Sequence, residues 1–289
     1  MSDAQQSPTL PVAVNSPEAA IRRPAKLVVE VFRDLYAFRG LIWVIFLRDL
    51  KAQFRQSYLG YVWLFLPPLM TTAIWFFLSR QNVINVTETE LPYPLFVLTG
   101  SVFWQTLVRL LQNPLTSFRS GKSVFTKLKV PPEAFVAAGT LRAVFEMLIY
   151  LVVLVPALIY FGVNPGSAVL LLPIVLLSLM LFGTAIGLML VPIGSLYSDV
   201  EQGIPLVMGF LMYLSPVVYP PPESGIAATI IAWNPTTPIL MAGRDLLTTG
   251  NMDYLLSSIA LMPISALVIF ACLFGLRAVM PHVVARIGS

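Results

Sequence analysis

Two acidic side chains, Asp199 and Glu201, lie two residues apart in a polar turn between apolar segments, a spacing that could bring two carboxylates together for acid–base chemistry. The other groups that such chemistry needs are scattered. The single cysteine, Cys272, lies inside an apolar run, and the single histidine, His282, lies beyond the last apolar segment. Because no nucleophile, base or metal ligand converges on the acids, we predict no catalytic residue, no metal site and no cofactor in this chain.

A phosphate-binding loop is the second chemistry that the residues suggest. The string Ser120-Gly121-Lys122-Ser123 looks like the end of a P-loop. That motif needs a glycine five residues before Gly121, where this chain has Thr116, and it needs a preceding strand. Here the string follows an apolar segment, and no other Walker-like element accompanies it. We therefore expect that the chain does not hydrolyse ATP.

Ionisable groups also occur inside apolar segments, where they are costly and often functional. Arg142 and Glu146 are four residues apart, which allows an intrahelical ion pair, a subunit contact or substrate binding. Arg109, with Gln105 and Asn113, makes one side of another segment polar. That side suits the wall of a hydrophilic channel, and snorkelling of Arg109 to the surface is the alternative.

The composition indicates which elements carry these residues. The chain is 57% hydrophobic and 11% charged, far from the balance of a soluble domain. We predict an all-α integral membrane protein with a disordered cytoplasmic tail over 1–36, which lacks the apolar core of a signal peptide, and a transmembrane domain over 37–289. Its length allows about six spans of roughly 20 residues. The predicted spans cover 58–78, 93–111, 135–161, 168–193, 203–219 and 254–276.

The distribution of basic residues predicts the orientation. Most of the 18 Lys and Arg residues lie before the first span, between the second and third spans, or after the last. By the positive-inside rule these regions, and so both termini, are cytoplasmic. The chain has a net charge of +4, and this one-sided distribution of its basic residues indicates contact with anionic membrane lipids, not nucleic-acid binding.

An amphipathic helix over 41–57 is predicted just before the first span. Apolar and basic residues recur there at helical spacing on separate faces, a pattern typical of a helix lying in the headgroup plane. The apolar face carries Leu47, Leu50 and Phe54, and the basic face carries Arg48, Lys51 and Arg55.

Breaks mark the region between the fifth and sixth predicted spans. The fifth apolar run ends at Ser215-Pro216, and Tyr219-Pro220 follows shortly after. A half-apolar stretch, 230–247, is then interrupted at Asn234-Pro235. Its parts are too short to cross a bilayer, so we predict two short helices that dip back into the outer leaflet over 220–250. A loop lying on the membrane surface is the alternative.

Taken in order, these features resemble the membrane subunit of ABC-2-type exporters for O-antigen, capsule and teichoic-acid polymers. The resemblance covers roughly residues 35–280. It is carried by the break-rich stretch 196–222 and by Arg48-Asp49 with the following KAQFRQSYLGYVW, in which Leu59-Gly60 forms the turn into the first span. The family usually has an Arg-Asp pair where this chain has Ser198-Asp199, so a role resting on that arginine does not carry over.

The resemblance implies a homodimeric permease with two copies of a separate ABC ATPase, which would bind ATP and Mg. The pair would move a lipid-linked polysaccharide across the bacterial cytoplasmic (inner) membrane. The same fold could instead export a drug, a lipid or another small molecule. An intramembrane transferase is a further alternative, but it would need the convergent catalytic set that is lacking in the sequence. A secondary transporter usually has internal repeats and midplane charges, which are also lacking.

The resemblance also assigns four groups of site residues. ATPase coupling through the 114–134 loop, predicted to contain a short amphipathic helix, is assigned to Phe118, Arg119, Lys122, Phe125 and Lys127. Entry of the lipid headgroup is assigned to Arg48, Lys51, Arg55 and Tyr58, with simple anchoring to anionic lipid as the alternative. Channel lining is assigned to Tyr61, Trp63, Trp75, Phe103, Trp104 and Arg109, with interfacial or lipid-facing positions as the alternative for the aromatic residues. A gate is assigned to Pro216, Tyr219, Pro220, Asn234 and Pro235.

Overall fold

A computed structural model describes residues 33–55, 57–60, 62–83, 91–125, 130–222 and 224–287, and within these ranges it is helical, without strands. The helices are, in chain order, α1 (Arg39–Phe54), α2 (Val62–Arg80), α3 (Tyr93–Phe125), α4 (Glu133–Tyr160), a 3-10 helix (Gly166–Leu171), α5 (Leu172–Leu196), α6 (Ser198–Tyr213), α7 (Ile226–Trp233), α8 (Thr236–Leu247) and α9 (Leu255–Ile287). The predicted all-α class is confirmed.

Among the described residues, five helical segments are long and apolar enough to cross a membrane, which makes the chain a multi-pass membrane protein. They are α2, most of α3, α4, the 3-10 helix with α5, and the first part of α9. Helix α6, at the predicted fifth span, has 16 residues and so is about 24 Å long, against a hydrocarbon core of about 30 Å. The sixth crossing therefore stays a prediction.

Helix α3 lies at the centre of the bundle. In its membrane-length window 78% of the residues are buried, against 11% in α2 and in α9. Helices α4 and α5 pack most extensively against α3, and α2, α6 and α8 also contact it. The central position of α3 gives it contacts with helices from both the N-terminal and the C-terminal halves of the chain. Helices α2 and α9, by contrast, have exposed apolar surfaces.

Glycines allow two helices to approach α3 closely around Pro114. Proline has no N–H, so the carbonyl of Leu110 lacks its usual helical donor. A Cβ added to Gly187 of α5 would lie 2.7 Å from that carbonyl oxygen, and one added to Gly139 of α4 would lie 2.3 Å from the carbonyl oxygen of Asn113. Small residues of this kind let helix backbones pack at short range in membranes.

The largest error in the predicted boundaries concerns α3. The second span was expected to end near residue 111 and to be followed by a loop with its own short helix. Instead α3 continues through Pro114 to Phe125, and Ser120-Gly121-Lys122-Ser123 lies in its last turns, not in a phosphate-binding loop. Packing on both sides of Pro114 stabilises the helix there despite the lost hydrogen bond.

The other boundaries differ less. The helix predicted over 41–57 is α1, Arg39–Phe54. Residues 1–32 of the predicted tail lie outside the described residues, but residues 33–36 are helical and not disordered. Arg277 of α9 binds this helical start, because its guanidinium lies 2.8 Å from Asp34 and 2.6 Å from the buried Glu133 of α4. Three segments that are remote in sequence are joined there.

The helix break at Asn234-Pro235 is confirmed, since α7 ends at Trp233 and α8 begins at Thr236. The Asn234 side chain stabilises the break by accepting a hydrogen bond from the backbone N–H of Thr236 at 2.9 Å. The depth of the α7–α8 pair in a membrane stays a prediction.

Candidate functional site

A buried arginine joins the N-terminal part of α3 to the irregular segment after α6. Arg244 of α8 is 1% exposed, and its Nη2 donates to the carbonyl oxygens of Pro216 at 2.9 Å and Val217 at 3.0 Å. Its Nε reaches the hydroxyl of Thr99 at 3.4 Å. The guanidinium also lies over the ring of Phe96, 3.6 Å from the centroid. Within the described residues, all of its hydrogen bonds go to uncharged groups.

Two further side chains hold the same irregular segment, residues 214–219. The Tyr93 hydroxyl donates to the carbonyl of Val218, and Nδ2 of Asn234 donates to the carbonyl of Leu214, both at 2.9 Å. The close approach to α3 depends on Gly100, since a Cβ there would lie 2.2 Å from the carbonyl oxygen of Val217. Side chains thus replace the backbone partners that a regular helix would supply.

This junction contains the residues predicted to form a gate. The irregular segment contains Pro216 and Tyr219 and leads directly into Pro220, while Asn234, next to Pro235, bonds to it from the α7–α8 break. Arg244, which holds the segment, was not assigned to any site from the sequence. The signal that could have found it is its place in the half-apolar stretch 230–247, where an ionisable residue at membrane depth indicates function by default.

A charged cluster links α3 to α4 near the middle of both helices. The fully buried carboxylate of Glu146 lies 3.1 Å from Nε of Arg142 and 3.3 Å from Nε of Arg109. Nδ2 of Asn113 donates to the same carboxylate at 3.2 Å, and Nε of Arg109 also reaches the hydroxyl of Tyr150 at 3.2 Å. The intrahelical Arg142–Glu146 pair is confirmed, and it is extended across to α3.

The C-terminal part of α3 is bound to α1. The Ser117 hydroxyl donates to Oδ2 of Asp49 at 2.8 Å. Arg48 pairs with Asp49 at 2.6 Å and donates to the Ser120 hydroxyl at 3.1 Å. Arg48 was predicted to meet a lipid headgroup, but its charge is engaged by a neighbouring carboxylate, so Lys51 and Arg55, both exposed, are the better candidates for that role.

The same end of α3 is bound to the start of α6. The Thr116 hydroxyl donates to Glu201 at 2.7 Å, and the Arg119 guanidinium lies 2.9 Å from the other oxygen of that carboxylate. Glu201 is therefore a contact between helices and not half of an acid pair. Asp199 lies within the first turn of α6 and makes no side-chain capping hydrogen bond, although its charge suits a helix N-terminus.

Three of the predicted site residues lie in the core. Phe118, Phe103 and Trp104 are each at most 2% exposed. The ring of Phe103 fills the space above Gly243 of α8, where an added Cβ would approach it to 2.6 Å. Because these side chains have no free surface, we remove Phe118 from the predicted ATPase contact and the other two from the predicted channel lining.

The remaining predicted residues keep an accessible surface or lie outside the description. Tyr58 is fully exposed, Trp63 is 53% exposed, and Trp75 is half-buried with its ring 6.2 Å from that of Tyr213 on α6. Tyr61, Lys127 and the side chain of Phe125 lie outside the described residues. The assignment of these residues to entry, coupling or lining stays a prediction.

The bundle and its junctions define an α-helical, multi-pass membrane protein, and the described residues contain no group of His, Cys, Asp and Glu that could hold a metal ion. Comparison with known families is more specific. The model of the ABC-2 type transporter family matches residues 40–248, and the chain belongs to that family. Its role is that of an ABC-2 permease, and the family implies partnership with an ABC ATPase. The resemblance inferred from the sequence is thereby confirmed.

Similar proteins include ones named for the export of O-antigen and the transport of polysialic acid. An "O-antigen export system permease protein RfbA" of Klebsiella pneumoniae is 26% identical over 224 residues, covering 76% of this chain and 84% of that protein. A protein of the same name from Myxococcus xanthus is 22% identical over 251 residues, covering 84% and 94%. The "Polysialic acid transport protein KpsM" of Escherichia coli is 21% identical over 220 residues, covering 72% and 81%.

Proposed function

We propose that this permease moves a lipid-linked polysaccharide across the bacterial inner membrane, as a homodimer with two copies of an ATPase that binds ATP and Mg. Both termini and the C-terminal end of α3 would face the cytoplasm. The names of the similar proteins support the cargo, since they export O-antigen or polysialic acid. The observation that carries the mechanism is the continuity of α3, which is bound to α1 and α6 at one end and to the 214–219 segment at the other.

In this mechanism helix α3 would transmit movement from its cytoplasmic end to the 214–219 segment. Its 33 residues extend about 50 Å, enough to cross the membrane and reach beyond it. A push from the ATPase on α1 or on the cytoplasmic end of α3 would pass along this helix to Tyr93, Thr99 and Gly100. These residues contact Arg244 or the carbonyls of the 214–219 segment. The segment would open or close the outer end of the channel.

The channel would lie between two copies of the chain, along α2 and α6. Apolar and aromatic residues of both helices are exposed, although the two helices meet through Trp75 and Tyr213. Their exposed aromatic rings include Trp63, Phe77, Phe210 and Tyr213. Such rings can stack on the apolar faces of sugars in many weak contacts, which would let a polymer slide. A small-molecule cargo would not need so extended an aromatic surface.

The function is tested by purifying the chain gently from its native membrane and by deleting it in the host. We expect a stoichiometric partner with Walker motifs and, in the deletion strain, glycan retained inside the cell on its lipid carrier. A stable complex without an ATPase, from a preparation that keeps other ABC complexes intact, would overturn the exporter assignment. An ATPase partner with unchanged surface glycan would retain the exporter and overturn the cargo.

The Arg119–Glu201 pair provides a test of coupling at the cytoplasmic end of α3. Arg119→Glu and Glu201→Arg should each reduce export at least about fivefold, because each places like charges together between α3 and α6. The double variant restores an opposite-charge pair and should recover most of the export. Stability should change by no more than about 1 kcal/mol, since both side chains are partly exposed. Equal loss in the double variant, measured by surface glycan per copy of permease, would contradict a coupling role for the pair.

A further inference from the structure

The charged cluster between α3 and α4 contains two positively charged side chains and one negatively charged side chain. Arg109 and Arg142 both face the single carboxylate of Glu146, and the other polar groups in contact with them, on Asn113 and Tyr150, are neutral. Burying charge in a membrane protein is costly unless it is paired. Among the described residues nothing neutralises the second arginine, so the cluster lacks one anion.

The geometry of the arginines indicates where that anion would bind. Both contact Glu146 through Nε, and in the described part of the chain their Nη groups make no hydrogen bond. None of these Nη atoms is fully buried, so they reach the surface of the chain. The arginine side chains are 24% and 14% exposed, whereas Glu146 is fully buried. The carboxylate thus holds two guanidinium groups through their Nε atoms, and their Nη donors are available to a ligand.

We propose that Arg109 and Arg142 form a binding site for the phosphate or pyrophosphate group of a membrane lipid. Guanidinium groups bind phosphate oxygens through paired N–H donors, and two groups anchored on the two oxygens of one carboxylate are near enough to share one such headgroup. Arg142 lies in the third turn of α4, which is the level of the cytoplasmic leaflet if α4 starts in the cytoplasm. Bulk phospholipid and a lipid-linked glycan offer the same phosphate chemistry.

The residues around the two arginines favour a lipid headgroup that enters laterally from the membrane. Phe46 of α1 packs edge-on against Phe145 of α4, with ring centroids 5.9 Å apart, so the helix predicted to lie among headgroups contacts α4 at the residue before Glu146. The α4 surface farther along the helix, at Leu148 and Val152, is exposed and apolar, which suits a lipid chain. Identification of the lipid as the transported one rests on the proposed function, whereas the phosphate site itself does not.

The test uses the full chain in nanodiscs, with lipid binding followed by native mass spectrometry. The probes are a polyprenyl pyrophosphate, phosphatidylglycerol and, as the neutral control, the polyprenyl alcohol. Arg142→Gln should weaken binding of a phosphate-bearing probe about tenfold and leave the alcohol unchanged. The matched control is Arg80→Gln, which removes an exposed cation at the end of α2 and should have no effect.

Glu146→Gln separates a binding role from a structural one. This change removes the internal counter-charge and keeps the shape, so phosphate binding should strengthen even if the protein melts at a lower temperature. A purely structural cluster would lose stability in both variants, with no opposite changes in affinity. Selective binding of the pyrophosphate identifies the carrier lipid, and equal binding of phosphatidylglycerol identifies a general headgroup site. Phosphate binding that neither variant alters would overturn the site, whatever the outcome for export.

Discussion

Replacing Arg244 with methionine is expected to abolish export and to lower the free energy of unfolding by about 2–4 kcal/mol. The reason is that the carbonyls of Pro216 and Val217 lose their donor in a buried place, and each unsatisfied group costs roughly 1–3 kcal/mol. The loss of a buried charge relieves part of that cost, but it does not restore the contacts with Thr99 and Phe96. Export is measured as surface glycan, and stability as denaturation in nanodiscs.

The same substitution at Arg80 is the control for the Arg244 variant. Arg80 is an exposed cation at the end of α2, close to the ring of Phe76, and Arg80→Met should leave export near normal. Arg244→Lys should be intermediate, because one ammonium group cannot serve both carbonyls and also lie flat on Phe96. If Arg244→Met exports normally, the hydrogen bonds from Arg244 to the 214–219 segment have no role in gating, even if the variant is less stable.

A single methyl group at Gly139 is expected to cost about 3 kcal/mol or more and to reduce the amount of folded protein severely. In Gly139→Ala the new Cβ would lie 2.3 Å from the carbonyl oxygen of Asn113 and 2.7 Å from Cα of Pro114. Both are backbone atoms of the central helix, so no side chain can rotate away to make room. Helix α4 must move off α3, which also disturbs the Glu146 cluster between them.

Gly275→Ala in α9 is the matched control, because it makes the same chemical change in a helix with nothing within 4 Å of the new Cβ. It should be neutral or stabilising by up to about 1 kcal/mol, since alanine favours the helical state over glycine. Folded yield after detergent extraction and the unfolding midpoint are the measurements. Equal behaviour of the two variants would contradict the close packing of α4 on α3.

Much of the architecture was predictable because the information is local. A continuous apolar run long enough to cross a bilayer forms a helix, since backbone groups in lipid must bond internally. The positions of α2, α4 and α5 and the start of α9 followed from this rule within a few residues, and so did the break at Asn234-Pro235. The end of α9 did not, because the helix continues past the predicted end at residue 276 to Ile287. The ordered set of breaks and basic segments also indicated the family, which residues 40–248 confirm.

The misplaced features depend on contacts between remote segments. Pro114 looked like a helix end, but α4 and α5 hold α3 together through Gly139 and Gly187. A clue was present, because Gly183 and Gly187 are four residues apart, a spacing typical of closely packed membrane helices. Phe103 looked like a channel aromatic but packs in the core against Gly243. Hydropathy could not show this, because it does not distinguish a lipid-facing ring from a core ring.

The sequence alone therefore determined the class of fold, most of the helices and the family, because hydropathy, helix breaks and charge asymmetry act on neighbouring residues. The tertiary structure decided which charges meet. It placed Arg244 on the carbonyls of Pro216 and Val217, and Arg109 beside the Arg142–Glu146 pair. These pairings depend on which faces the helices turn toward each other, and that is settled only when close packing of the whole bundle selects one arrangement.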